Sequence, residues 1–311
     1  MNNEIKKINL NHSFIFFLFS NIFSIIIFKL NNFNISPLIC LLLILTIGVS
    51  HGSLDHVKGK RLFNILNINK ISIFYFSYIL IAILVIIIWT IIPFISLMIF
   101  LLVASYHFGK EDTQFLINEN SYFNQLLFFL KGLLIIVAPI FFHFEETVAI
   151  FKLLLVDSEI FYSTLEFIEV NKILPIAIIL SSLSSIFLFL RKFEIKKFIV
   201  FFDYFSILIL NYYLTPLVAF TVYFCFLHSI RHSITLIYEI DKNDFKNGLK
   251  VFGQKALPLT VLTAIFCLIG LYLLNNNYDF DSSILKIIFI GLASLTFPHI
   301  LLEYFLEKNE K

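Results

Sequence analysis

Between Ser13 and Leu306 the chain returns repeatedly to apolar stretches long enough, or nearly long enough, to cross a bilayer, and no other feature restricts its fold so strongly. The first runs from Ser13 to Phe28; others follow at about 35–52, 71–91, 93–108, 124–143, 173–190, 198–213, 215–237, 256–274 and 284–306, ten in all. Only 14% of the 311 residues are charged and 59% are hydrophobic, with a mean hydropathy of +0.92, which excludes an ordinary soluble domain. The expectation is an all-α, polytopic helical bundle of about ten transmembrane segments, forming a single integral membrane domain over residues 1–311. The first stretch lacks a small-x-small cleavage site and reads as a retained span. The stretches divided at Pro93 and Pro216 could each be one bent element, and the segment from Phe144 to Lys172 should include a surface helix.

Loop charges orient this bundle. With an even number of spans starting inside, one side holds Lys6, Lys7, Lys58, Lys60, Arg61, Lys70, Lys110, Arg191, Lys192, Lys196, Lys197, Lys242, Lys246, Lys250, Lys255, Lys308 and Lys311, and the other only Lys29, Lys152, Lys172 and Lys286. The positive-inside rule then puts both termini in the cytoplasm of a multi-pass inner-membrane protein. A net charge of +2 gives no support for a nucleic-acid partner. The 40 Phe residues accompany abundant Ile, Asn and Lys, so AT-rich coding explains them before an aromatic tunnel does. Cys40, Cys225 and Cys267 sit singly in apolar runs, as buried small hydrophobes do.

The orientation brings histidines to one level. Spans two, four, eight and ten run toward the cytoplasm, and their inner halves or ends carry His51, His107, His228 with His232, and His299. Ionisable groups in membrane segments are costly and therefore functional candidates. His143 ends span five on the opposite side, and His12 lies in the polar N-terminal segment, where it should be solvated.

The strongest local signal is FCFLHSIRHS, residues 224–233. On one helix His228 and His232 project about 40° apart and form a chelating pair for a borderline transition metal. Arg231 between them keeps its charge and needs a buried carboxylate, with Asp55 or Asp112 at suitable depth. In HGSLDH, Asp55 shares a helical face with His51 while His56 points about 140° away; Gly52 can break that helix, so either histidine could be the ligand. Asp55 suits the acceptor of a metal-bound histidine's ring N–H. In YHFGKED, His107 and Glu111 stand four apart, either as a ligand with its partner or as a solvated helix end whose rim is Lys110, Glu111 and Asp112. In FPHILLE, His299 and Glu303 repeat that spacing beside a proline expected to kink the span. Lys131, alone in span five, reads as a snorkelling lysine rather than a Schiff-base site. Loops for nucleotide or serine-esterase chemistry are missing.

Several imidazoles, few carboxylates and no clustered thiolates favour Fe(II), with zinc and copper as competitors. A buried iron among lipid-facing helices suits dioxygen and a membrane-soluble hydrocarbon. Taken together, His51-Gly52-x-Leu54-Asp55-His56, His107-Phe108-Gly109-x-x-Asp112, His228-Ser229-x-Arg231-His232 and Pro298-His299 resemble, in order and over nearly the whole chain, the Brp/Blh-type β-carotene 15,15'-dioxygenases of bacteria and archaea. The resemblance implies a polytopic enzyme that splits the central double bond of β-carotene, or a related carotenoid, with dioxygen to give two retinal molecules, commonly for a microbial rhodopsin. It implies iron held by His51, His107, His228 and His232, with Asp55, His56, Asp112, Arg231 and His299 in supporting catalytic or structural roles. Ser53 departs from the alanine common in the family. A diiron desaturase or hydroxylase is the rival enzyme, although its HxxHH box is absent, and a retinal- or carotenoid-binding opsin assembly factor is the non-enzymatic one.

Overall fold

The computed structural model describes residues 3–30, 35–115, 121–190 and 201–309, apart from the side chains of residues 3, 4, 50, 51 and 188–190. The basic run at 191–197 lies outside them. Every regular element among the described residues is helical, giving an all-α membrane bundle.

The chain opens with α1 (Asn3–Lys29). Ser36 caps the N-terminus of α2 (Pro37–Leu43) by accepting from the Leu38 amide, and Pro37 takes the first turn, where no amide partner is required. A π-helical turn (Ile44–Gly48) and a 3-10 segment (Val49–Leu54) then lead into α3 (Asp55–Ile65). After α4 (Ile71–Ile91), Ile92 leaves helical geometry and Pro93 starts α5 (Pro93–Glu111), because a residue before proline is driven out of the helical region. Next come α6 (Tyr122–Phe142), α7 (Phe144–Leu153), α8 (Glu159–Val170) and α9 (Leu174–Leu190). Beyond α10 (Phe201–Tyr213), Pro216 begins α11 (Pro216–Val222), which continues through a second π-helical segment (Tyr223–Ser229) into α12 (Ile230–Ile240). Two 30-residue helices, α13 (Phe245–Leu274) and α14 (Phe280–Asn309), complete the bundle. Ahead of α13, the Asn247 amide and the backbone N–H groups of Asp244 and Asn243 hold the Asp241 carboxyl below the usual carboxylate range.

Among the described residues seven helices are long and apolar enough to cross a membrane, or nine if two bent pairs each count as one crossing. The second stretch bends by 43° where α2 gives way to π and 3-10 turns, and α9 turns by 75° from α8, while the stretch expected at 198–213 begins outside the described residues. The pairs at Pro93 and Pro216 are each two helices, and α14 continues through Pro298 as one. The segment from Phe144 to Lys172 forms two helices, tied to the bundle by Trp89 Nε1 donating to the Leu154 carbonyl at 2.9 Å and by Lys286 donating to that of Leu153.

Burial is distributed as lipid requires. The apolar windows of α4 and α13 hold almost no buried residues, with Ile79, Ile83, Phe266 and Leu268 facing outward, whereas 72% of the window in Pro216–Ile240 is buried. The helix carrying HSIRH is therefore the central one. Its Leu227 shares one buried core with Leu97, Leu134, Ala138, Leu210, Ile284 and Ile288. Helices α5 and α6 cross in backbone contact: a Cβ at Gly109 would strike the Phe128 carbonyl, and one at Gly132 that of Ser105. Small residues permit such an approach where the apolar solvent offers no hydrophobic drive.

Candidate metal centre

Four segments distant in sequence deliver the site. The π segment and α12 bring His228 and His232; the end of α5 brings His107, Glu111 and Asp112; the start of α3 brings Asp55; the second half of α14 brings His299 and Glu303. All four histidines are buried. The ring of His107 lies 5.4 Å from that of His228 and 5.5 Å from that of His299, and His299 lies 5.9 Å from His232, centre to centre. Imidazoles sharing one ion, with metal–nitrogen bonds of about 2.0–2.1 Å, stand roughly 5 Å apart on that measure.

Three of the rings are held alike. His228 Nδ1 lies 3.2 Å from Asp112 Oδ1, His232 Nδ1 2.8 Å from Glu111 Oε2, and His299 Nδ1 2.9 Å from both Asp55 oxygens. Each carboxylate takes a further donor: the Tyr223 hydroxyl on Asp112 at 2.6 Å, the Gln114 amide on Glu111 at 2.6 Å, and the Tyr78 hydroxyl on Asp55 at 2.8 Å. An ionised carboxylate only accepts, so Nδ1 carries the proton, and in the neutral ring Nε2 keeps the lone pair. This is how proteins orient histidines toward metals.

Glu303 lies on the other side of the rings. Its Oε1 is 3.6 Å from His299 Nε2 and 3.9 Å from His232 Nε2, and Lys58 Nζ reaches it at 2.7 Å while standing 3.4 Å from His232 Nε2. Among the described residues, His232, His299 and Glu303 could share an ion, as could His107, Glu111 and Glu303. Asp55, Glu111, Asp112 and Glu303 gather here with Lys58 touching Glu303, so the cluster calls for more positive charge, whether protons on imidazoles or a metal cation. Both the donor types and this charge fit a divalent transition metal.

Several expectations need correction. Of the two readings open for YHFGKED, the geometry fits the partner one for Glu111 and Asp112, which are buried beside His232 and His228 where α5 packs its end against α6 at Gly109. Lys110 alone keeps the rim role, paired with Glu307. Asp55 supports His299, and the His51 side chain lies outside the described residues. His56 Nδ1 turns to the Ser53 carbonyl at 3.0 Å. Arg231 pairs with neither Asp55 nor the Asp112 carboxylate: it bonds Asp203 at 2.9 and 3.3 Å, the Asp112 carbonyl at 2.9 Å and the Ser13 hydroxyl at 2.8 Å. His12 is partly buried in α1, its Nε2 2.9 Å from the Phe226 carbonyl, and so is not a solvated residue. His143 Nε2 lies against the Asn211 carbonyl at 2.7 Å. Lys131 is buried and does not snorkel. Tyr78, Gln114, Tyr223 and Asp203 escaped the sequence reading; only Asp203, an acid alone in an apolar stretch, carried a signal there.

Comparison with known proteins places the chain in a family. The family described as Beta-carotene 15,15'-dioxygenase matches residues 42–307. The chain belongs to that family. The relative named Beta-carotene 15,15'-dioxygenase, from Uncultured marine bacterium 66A03, is 29% identical over 271 residues, covering 84% of this chain and 90% of that protein. No solved structure matches. The family match takes in every residue of the histidine–carboxylate cluster; α1, which supplies Ser13 to Arg231, precedes it.

Proposed function

We propose that the protein cleaves the central double bond of β-carotene with dioxygen inside the membrane, giving two retinal molecules, at a histidine-bound Fe(II). The observation that carries this reading is the set of buried imidazoles whose Nδ1 atoms are each held by a carboxylate, at the heart of a lipid-facing bundle. His107, His228 and His232, together with His51, would hold the ion, and His299 faces the same space with Asp55 behind it. Gly52, next to His51, supports this: a Cβ there would stand 3.9 Å from Asp55 Oδ2 and 4.0 Å from His299 Nδ1, so the backbone of HGSLDH runs beside the cluster.

Fe(II) in an imidazole-rich set supplies dioxygen activation, which side chains lack. The chain's own residues do the rest. Asp112, Glu111 and Asp55 fix ring orientation and tautomer, with Tyr223, Gln114 and Tyr78 holding the carboxylates in turn. Arg231, bonded to the Asp112 carbonyl, anchors the end of α5 to α10 and α1. Rings flank His228: Phe108 edge-on at 4.7 Å and Phe224 stacked at 5.8 Å, with Phe220 stacked on Phe224 at 5.5 Å. Such surfaces suit a rigid apolar polyene and exclude water. One carbon–carbon double bond breaks, each carbon gains one oxygen atom from O2, and no external reductant enters the balance.

The test is expression in a β-carotene-accumulating bacterium with colour and retinal analysis. The wild-type chain should bleach the cells and yield retinal, and His228→Ala should abolish retinal while inserting normally. Full activity in His228→Ala contradicts the assignment.

A further inference from the structure

We propose that Glu303 is itself a ligand of the metal, and that Lys58 is the counter-charge its carboxylate releases when the cation binds. The inference rests on the metal-site reading above and extends it to residues that the histidine motifs leave out.

The argument is one of sides. Asp55 and Asp112 approach imidazoles at Nδ1 and so lie behind the rings, where a carboxylate orients but does not ligate; Glu111 Oε2 does the same for His232. Glu303 approaches at Nε2: its Oε1 stands 3.6 Å from His299 Nε2 and 3.9 Å from His232 Nε2. It is also the member common to both groups of side chains able to hold an ion. A carboxylate on the lone-pair side of two imidazoles is placed as a donor, and mixed imidazole–carboxylate sets with open positions are those that suit Fe(II) and dioxygen.

Lys58 shares that carboxylate. Its ammonium is 2.7 Å from Glu303 Oε1 and 3.4 Å from His232 Nε2, so it touches two of the atoms a metal would contact. Ammonium and metal compete for the same oxygen. Lys58 sits on α3, one turn from the surface residues Lys60 and Arg61, so a modest swing of its flexible stem clears the oxygen.

Cobalt(II) titration of the purified full-length chain, stripped of metal by chelation, tests this through affinity and visible absorption without recourse to turnover. Glu303→Gln should weaken cobalt binding at least about tenfold and alter the visible bands. Lys58→Met should tighten binding. Because Glu303→Gln leaves the half-buried Lys58 without its partner, the decisive comparison is Lys58→Met/Glu303→Gln against Lys58→Met alone. A ligand role predicts the double variant to be weaker by the same factor with the same spectral change. If the two bind cobalt equally with identical spectra, Glu303 serves only its ion pair and the proposal falls. His228→Ala separates the two levels. Loss of cobalt there with unchanged binding in the Glu303 variants overturns this inference alone, whereas full cobalt binding by His228→Ala overturns the metal site itself.

Discussion

A buried charge must be answered, and most of the site follows from that. Arg231 is 2% exposed and finds Asp203; removing the guanidinium strands a carboxylate in the bundle interior. Arg231→Met should therefore cost about 3–5 kcal/mol in thermal or denaturant unfolding in detergent, and Arg231→Met/Asp203→Leu should recover much of it. Asp112→Asn keeps the shape but loses the fixed acceptor behind His228, and should lower iron affinity roughly 10–100-fold by metal competition, with the fold intact by circular dichroism. At this scale the sequence was legible in kind and not in pairing. The charge of Arg231 demanded an acid, and HGSLDH offered Asp55 as a histidine's acceptor, yet Asp203 and His299 lie 28 and 244 residues from those partners. Periodicity along one helix cannot see across such separations.

Irregular helix gives the elements their precision. Two π-helical turns meet beside the site: the Ser229 hydroxyl donates to the Gly48 carbonyl at 3.2 Å, and a Cβ at Gly48 would come within 2.6 Å of Phe224 Cε1, on the ring stacked against His228. Such turns recur at functional sites because they re-aim side chains that a regular helix would phase differently. The four-residue spacing of His228 and His232 suggested an ordinary α-helical pair; no residue pattern announced the π segment. The α5–α6 crossing is as tight. Gly132→Ala should separate these helices, destabilise the protein by about 1–3 kcal/mol or more, and lower metal content, because α5 carries His107, Glu111 and Asp112. Metal analysis of the purified variant checks this. An unchanged metal content would show that the crossing does not set the position of α5.

For the whole molecule, hydropathy was the most legible property and span number the least. An all-α membrane bundle follows from the apolar stretches; among the described residues seven helices, or nine with the two bent pairs, are long and apolar enough to cross, and length in sequence does not show where the bends in those pairs fall. Counted over the ten apolar stretches, which put both termini on one side, the charge asymmetry gives a direct expectation. A fluorescent protein fused after Lys311 should be bright in the cytoplasm, while an alkaline phosphatase fused there should be inactive; the opposite pattern would invert the bundle. The histidine end of α5 and α14, joined by Lys110 and Glu307, would then face the other compartment.

The most direct measurement is to incubate the iron-loaded, detergent-solubilised protein with β-carotene under ¹⁸O₂ and identify the products by mass. The account requires two retinal molecules per carotene consumed, each drawing its oxygen from O2 before exchange with water, and no retinal once the metal is removed. Aldehydes of unequal length, or cleavage that survives removal of the metal, would contradict it.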